Sequence, residues 1–294
     1  MIVFFGKHEI INQWQSVVGA DERFAFCQTY QELAKYPTDE TTVVYVRIPN
    51  KASLRIALKL RLKGYRVCKF WAGTDSRYFN DASYFEKLLS KIIYKTCLYR
   101  NFSPAPWLSN VLESLGLTTT YWQSCSPIFL QPELLNVDDI AMHELKKIKN
   151  ILVYSNPDRH WIYSTQMMLA LAAELPNINF TFVGDESLNT LGLDNVASLG
   201  RVSQDELFKL YRSCQMLVRI TSHDGFSRMI IEGMYFGMNI ITNWPVPHSQ
   251  YANDIEQIKV LLKQDVCFNK AGYDYIRREF NIDAWKNTLL TALT

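Results

Sequence analysis

Asp224 and Glu232, two acids eight positions apart, lie in the stretch of the chain with the clearest chemical pattern, residues 216–243. Residues 216–220 read as a buried strand that runs into a polar turn, 221–225, and from Phe226 the spacing predicts a helix apolar enough to be mostly buried. A strand, a glycine-bearing turn and a helix start together make an anion site. The first N–H groups of a helix lack partners, its dipole favours negative charge, and Gly225 lets a ligand approach the backbone closely. Glu232 falls about two turns into this helix, among Met229, Ile230, Ile231 and Met234. A carboxylate there is costly unless something hydrogen-bonds it, and sugar hydroxyls would do so well.

The elements that must hold these groups alternate from end to end, with short β-branched or aromatic runs separated by longer amphipathic stretches. That pattern predicts parallel sheets with crossover helices. In the first half the strand candidates are 2–5, 42–48, 66–71, 98–102 and 119–122; in the second they are 151–154, 179–183, 196–199, 216–220, 239–242 and 266–268. Each set is expected to form its own doubly wound sheet. The prolines and polar run of residues 126–150 mark the boundary between them. The expected divisions are 1–130, 131–272 and a C-terminal helix, 273–294, that returns to the first domain. Ligands of such folds bind beyond the carboxyl ends of strands, which puts the site in a cleft between the halves. Gly6, Lys7 and His8 follow the first strand on that edge, and Gly73, Thr74 and Asp75 close the strand at 66–71.

Composition narrows the class. At 48% hydrophobic and 20% charged residues the chain is an ordinary packed protein. No run approaches the ~18 apolar residues of a membrane span, and the N-terminus lacks a basic segment with a cleavage site. The expected location is therefore the cytosol. Six cysteines with no C-x-x-C pair suggest neither a zinc site nor a disulfide framework. The net charge of +2 combines a basic first half with an acidic second. Between Lys51 and Lys69 seven basic residues occur with no acid, while Leu54, Ala57, Leu58 and Leu62 fall at helical spacing. This stretch reads as a helix with one basic face: either a plain solvated surface or a surface attracted to an anionic acceptor or anionic lipid. Nucleic acid is not expected, since no aromatic residues interleave with the cluster.

Asp224-Gly225-Phe226-Ser227 with Glu232, followed by Gly233-Met234 and Gly237 to Ile241, resembles the E-x7-E region of retaining GT-B glycosyltransferases of the family 4 type. The likeness continues upstream through residues 151–200, which are similar to that family's strand, donor-phosphate loop, helix and second strand. The resemblance implies a GT-B fold of two Rossmann-like domains. It also implies that Asp224 contacts the donor sugar, that Gly225, Phe226 and Ser227 contact sugar and diphosphate, and that Glu232 binds the ribose hydroxyls. The family places an Arg and then a Lys on the diphosphate; this chain offers Arg159 and His160 and no Lys, so Arg201 or Arg228 is a candidate for the second cation. Gly73-Thr74-Asp75 is similar to a Gly-Thr-Asp stretch of some bacterial GT-B enzymes. Asp75 is either a base or orienting group for the acceptor, or a plain helix N-cap.

The implied activity is transfer of a sugar from a nucleoside diphosphate donor to a hydroxyl of a glycan or lipid-linked acceptor, with retention, in surface polysaccharide synthesis. No Asp-x-Asp occurs, and no metal or other cofactor is expected. Two rivals share the fold: a non-catalytic subunit that partners a transferase, and a sugar-nucleotide epimerase.

Overall fold

The computed structural model describes residues 1–47, 51–73, 81–131 and 144–294. The chain forms two units. The first comprises Met1–Gln131, His223–Phe226 and Phe280–Thr294; the second comprises Pro132–Ser222 and Ser227–Glu279.

The first unit is built on a six-stranded sheet in the order β2-β1-β3-β4-β5-β6. Its strands are β1 Ile2–Phe5, β2 Phe24–Cys27, β3 Thr42–Val46, β4 Arg66–Phe70, β5 Arg100–Ser103 and β6 Thr120–Tyr121. All are parallel. β1 and β3 are buried at every position, as a parallel sheet covered on both faces requires. The two-residue period divides them: Ile2, Phe4, Val44 and Phe70 join Trp14 and Trp285 on one face, and Val3, Phe5, Val43 and Val67 join Ala57 and Leu60 on the other. The first face is closed by helix Ile282–Leu293. Trp122 Nε1 donates to Trp285 O at 3.0 Å, and the two rings lie 4.9 Å apart.

The second unit repeats the plan in the order β12-β11-β10-β7-β8-β9. Its strands are β7 Asn150–Tyr154, β8 Asn179–Val183, β9 Val196–Ser198, β10 Met216–Arg219, β11 Asn239–Thr242 and β12 Gln250–Tyr251. These too are parallel. Ile151, Val153, Phe180 and Val218 face helix Thr165–Glu174. Leu217 and Ile240 lie under helix Arg228–Tyr235, where a Cβ on Gly233 would come within 3.4 Å of Ile240 Cδ1.

Several expectations change in detail. The basic run is not one helix: helix Lys51–Leu62 ends before β4. Lys69, in β4, is fully buried and donates to Arg47 O at 2.6 Å, with its ammonium over the Trp71 ring. It therefore belongs to the interior. Residues 266–268 form no strand, only an antiparallel bridge between Lys146 and Val266. β2 and β12 are strands that the sequence pattern did not suggest. The C-terminal stretch is two helices, Lys270–Glu279 and Ile282–Leu293. They are parted at Asn281, whose side chain caps the second by accepting from Ala284 N at 2.8 Å.

Candidate functional site

At the carboxyl edge of the second sheet, β7 and β8 end beside a buried carboxylate. Gly184 follows β8 with φ +97°, and a Cβ there would meet Ser155 O at 2.5 Å, so only glycine fits. This places Asp185, wholly buried, under the loop after β7. Its Oδ1 accepts from Ser187 N at 2.9 Å and Ser187 Oγ at 2.8 Å. Its Oδ2 accepts from Ser155 Oγ at 3.2 Å and His160 Nε2 at 2.5 Å. Burial pushes this acid up, but the hydrogen bonds from His160, Ser187 and Ser155 outweigh it and hold the pKa below the usual carboxylate value. With Asp185 ionised, Nε2 of His160 carries the proton and the ring orientation is fixed. Arg159 sits in the same loop, half-exposed, its N–H bonded to Asn156 O at 3.0 Å. Arg201 follows Gly200 and is exposed.

Glu232 is a second buried acid among the described residues of this unit, 2% exposed on helix Arg228–Tyr235. Its Oε2 accepts from Tyr211 Oη at 3.0 Å, and its Oε1 faces Arg228 Nε at 3.3 Å, one helical turn away. Tyr211 projects from helix Gln204–Ser213, whose start carries the capping box of Ser203 and Glu206. Its own burial, then the Glu232 carboxylate, push the phenol well above its ordinary pKa, so it stays a donor. The helix begins at Arg228 rather than Phe226, with buried Ser227 at the N-cap and no side-chain capping bond.

The end of β10 carries two features that sequence reasoning did not single out. Arg219 is 8% exposed and its guanidinium packs against the rings of Tyr154 and Tyr163 at 5.7 and 5.2 Å. A lone cation in an otherwise apolar strand was the available signal. Beyond it, Thr221 is clamped: its N–H donates to Asn243 Oδ1 at 3.0 Å, its carbonyl accepts from Asn243 Nδ2 at 2.8 Å, and its hydroxyl accepts from Trp244 Nε1 at 2.7 Å.

Residues His223–Phe226 belong to the first unit. There Trp107 Nε1 donates to Asp224 O at 3.1 Å, Phe226 packs on Trp107 and Phe280, and a His223 ring nitrogen bonds Gly73 O. Gly73 has φ +84°, and a Cβ on it would meet Gly225 N at 2.5 Å. The two glycines named from sequence are thus brought together. Thr74 and Asp75 lie outside the described residues. At the end of β1, Gly6 N donates to Cys27 O at 2.9 Å and Lys7 is exposed. His8 is the N-cap of helix Glu9–Val18, its Nδ1 accepting from Ile10 N at 3.2 Å. Among the described residues no three His, Cys, Asp or Glu side chains are grouped to hold a metal ion.

No protein-family profile matches the chain, and no curated protein matches it. Solved structures do. HepE of Anabaena, in complex with UDP and glucose, superposes with a TM-score of 0.71 at 11% identity, covering 99% of this chain and 98% of that one. A glycosyltransferase from Rickettsia africae gives 0.67 at 12%, covering 99% and 97%. Sucrose-phosphate synthase from Thermosynechococcus elongatus gives 0.65 at 16%, covering 90% and 74%. The likeness is one of fold: two parallel six-stranded sheets with flanking helices, the GT-B fold.

Proposed function

We propose that this chain transfers a sugar from a uridine diphosphate sugar to a hydroxyl of a glycan or lipid-linked acceptor, retaining anomeric configuration. The observation that carries this reading is Glu232, a carboxylate kept 2% exposed on the helix after β10, with one oxygen fixed by Tyr211. A pair of ribose hydroxyls suits the other oxygen, which faces the half-exposed Arg228. The structural likeness to HepE, which has been solved with UDP-glucose and with UDP, supports the choice of nucleotide.

In this reading the start of helix Arg228–Tyr235, together with Ser227, Gly225 and Phe226, receives the diphosphate. Arg159 and Arg201 offset its charge as it leaves. Asp224 contacts the donor sugar. Asp75 serves the acceptor, and Gly73, Thr74, Gly6, Lys7 and His8 contact the acceptor or the diphosphate. No metal takes part, so transfer is expected to survive EDTA; a loss that magnesium or manganese restores would overturn this part. The proposed location is the cytoplasm, peripheral on the inner face of the membrane, and the basic helix Lys51–Leu62 faces anionic lipid. Among the described residues no helix is long and apolar enough to cross a membrane.

Thermal unfolding with UDP-, GDP-, ADP-, dTDP- and CMP-sugars tests the reading. A ligand at about 100 times its Kd stabilises by about 2.7 kcal/mol, and the rise in Tm is expected for UDP-sugars. No rise with any of them would overturn the proposal. Binding with no turnover would favour the non-catalytic subunit, and isomerisation of the sugar without an acceptor would favour the epimerase.

A further inference from the structure

Helix Tyr84–Cys97 of the first unit presents its apolar side outward. Tyr84, Phe85, Leu88, Leu89 and Ile92 are 82, 72, 44, 41 and 52% exposed. At about 100° per residue they share one arc of roughly 140°, while Ser90, Tyr94 and Cys97 lie on the opposite, buried side. Single exposed apolar residues are ordinary, but a contiguous face of five marks an interaction surface. The helix is firmly set. Ser83 and Glu86 form a capping box at its start, and Tyr94 Oη donates to Ser53 Oγ at 3.0 Å, both buried, which ties it to helix Lys51–Leu62.

We propose that this face is a membrane anchor that lies in the headgroup boundary of an anionic bilayer. Charge selects the occupant. The two joined helices carry seven basic residues and one acid, Glu86, and Glu86 is engaged by the Ser83 cap. Lys87 and Lys91 lie beyond one edge of the apolar arc, Lys95 lies within it, and on the neighbouring helix Leu58 and Leu62 are 43 and 78% exposed among Arg55, Lys59 and Arg61. A second copy of this chain would set like charge against like charge. An anionic lipid surface supplies acyl chains for the aromatic and aliphatic side chains and phosphates for the ammonium groups, which reach outward on their methylene stems. The proposal rests on the reading above that the acceptor is met at a membrane. It differs in assigning the attachment to apolar insertion, with the basic helix as an electrostatic supplement.

The test is flotation of the full chain with vesicles of phosphatidylcholine alone and of phosphatidylcholine with phosphatidylglycerol, at low and high salt. The chain is expected to float with the anionic vesicles, and salt is expected to weaken but not abolish this. Phe85→Ser with Leu89→Ser, both at exposed positions, is expected to lower partitioning at least tenfold per side chain at every salt concentration. Arg55→Gln with Lys95→Gln is expected to lower it about fivefold per charge at low salt only. An unmodified chain that stays with the soluble fraction, or a Phe85→Ser/Leu89→Ser variant that floats as well as the parent, overturns the anchor. So does sedimentation that shows a lipid-free dimer lost in that variant while flotation is unchanged. UDP-sugar thermal shifts on the same samples keep the two proposals apart. Donor binding without flotation removes only the anchor, and flotation without donor binding removes only the transfer reading.

Discussion

Asp185 and Glu232 are the two buried carboxylates among the described residues of the second unit, and they are satisfied in different ways. Asp185 is surrounded by short, fixed donors: two serine hydroxyls, a backbone N–H and an imidazole, all on loops that leave adjacent strands. Its hydrogen bonds hold the loops after β7 and β8 together, so it acts as a structural pin. Glu232 is held by one buried phenol and by an arginine that is 43% exposed. An ion pair with a solvent-exposed arginine is screened and contributes little. Burial alone does not separate the two acids; the number and kind of donors around each does, four on fixed loops for Asp185 against a phenol and a guanidinium for Glu232.

The sharpest way to break this contrast is Asp185→Ala. It removes the acceptor shared by Ser155, His160 and Ser187, and a loss of about 3 kcal/mol or more is expected in denaturant unfolding. A variant as stable as the parent would end the structural reading. The acid limb of stability is part of the same expectation. The folded pKa of Asp185 lies below its unfolded value. Its contribution is therefore complete above about pH 4 and is lost as pH falls through the folded value. The Asp185→Ala profile should be flatter there.

Glu232→Gln comes next. It keeps the shape and replaces a charged acceptor by a neutral one, so UDP-sugar affinity is expected to fall about ten- to a hundredfold. Stability should move by less than about 1 kcal/mol, because the Arg228 partner is screened by solvent. A large drop in Tm with unaltered affinity would make Glu232 another pin.

Tyr211→Phe, with a smaller expected loss of donor affinity than Glu232→Gln, separates orientation from binding. Loss of one hydrogen bond to a carboxylate is expected to cost about 1.5 kcal/mol of stability and to weaken donor affinity less than Glu232→Gln does. The folded phenol pKa is raised. Its stabilisation is thus full below about pH 10 and is lost as pH rises above that value, a loss that Tyr211→Phe should reduce. Comparing alkaline unfolding of the parent and the variant reads this directly.

The alternation of strand and helix was legible because parallel strands are mostly apolar and their crossovers amphipathic: β1 is apolar throughout, and β3, β7 and β10 at all but one position. Gly73 and Gly225 could be named from their turns, but not their approach to each other, since 151 positions separate them and no local pattern reports it. His160 was visible as a candidate, whereas its partner Asp185 was not. The pairing follows from β7 and β8 being neighbours, and an Asp after Val-Gly reads locally as a plain turn residue. Tyr211 likewise carries no signal on its own helix beyond being apolar enough for the core.

The sequence by itself determined the two sheets, the apolar helix that holds Glu232, and the turn before it, because periodicity and turn chemistry act over a few residues. Tertiary structure alone decided the fate of the charges. Lys69, which the pattern put on a basic surface, became a β4 interior residue bonded to Arg47 O. Arg219 became a stacked cation, and the apolar side of helix Tyr84–Cys97 was left facing outward. Whether a polar or apolar side chain is buried depends on which element packs over it, and that is a property of the assembled sheet.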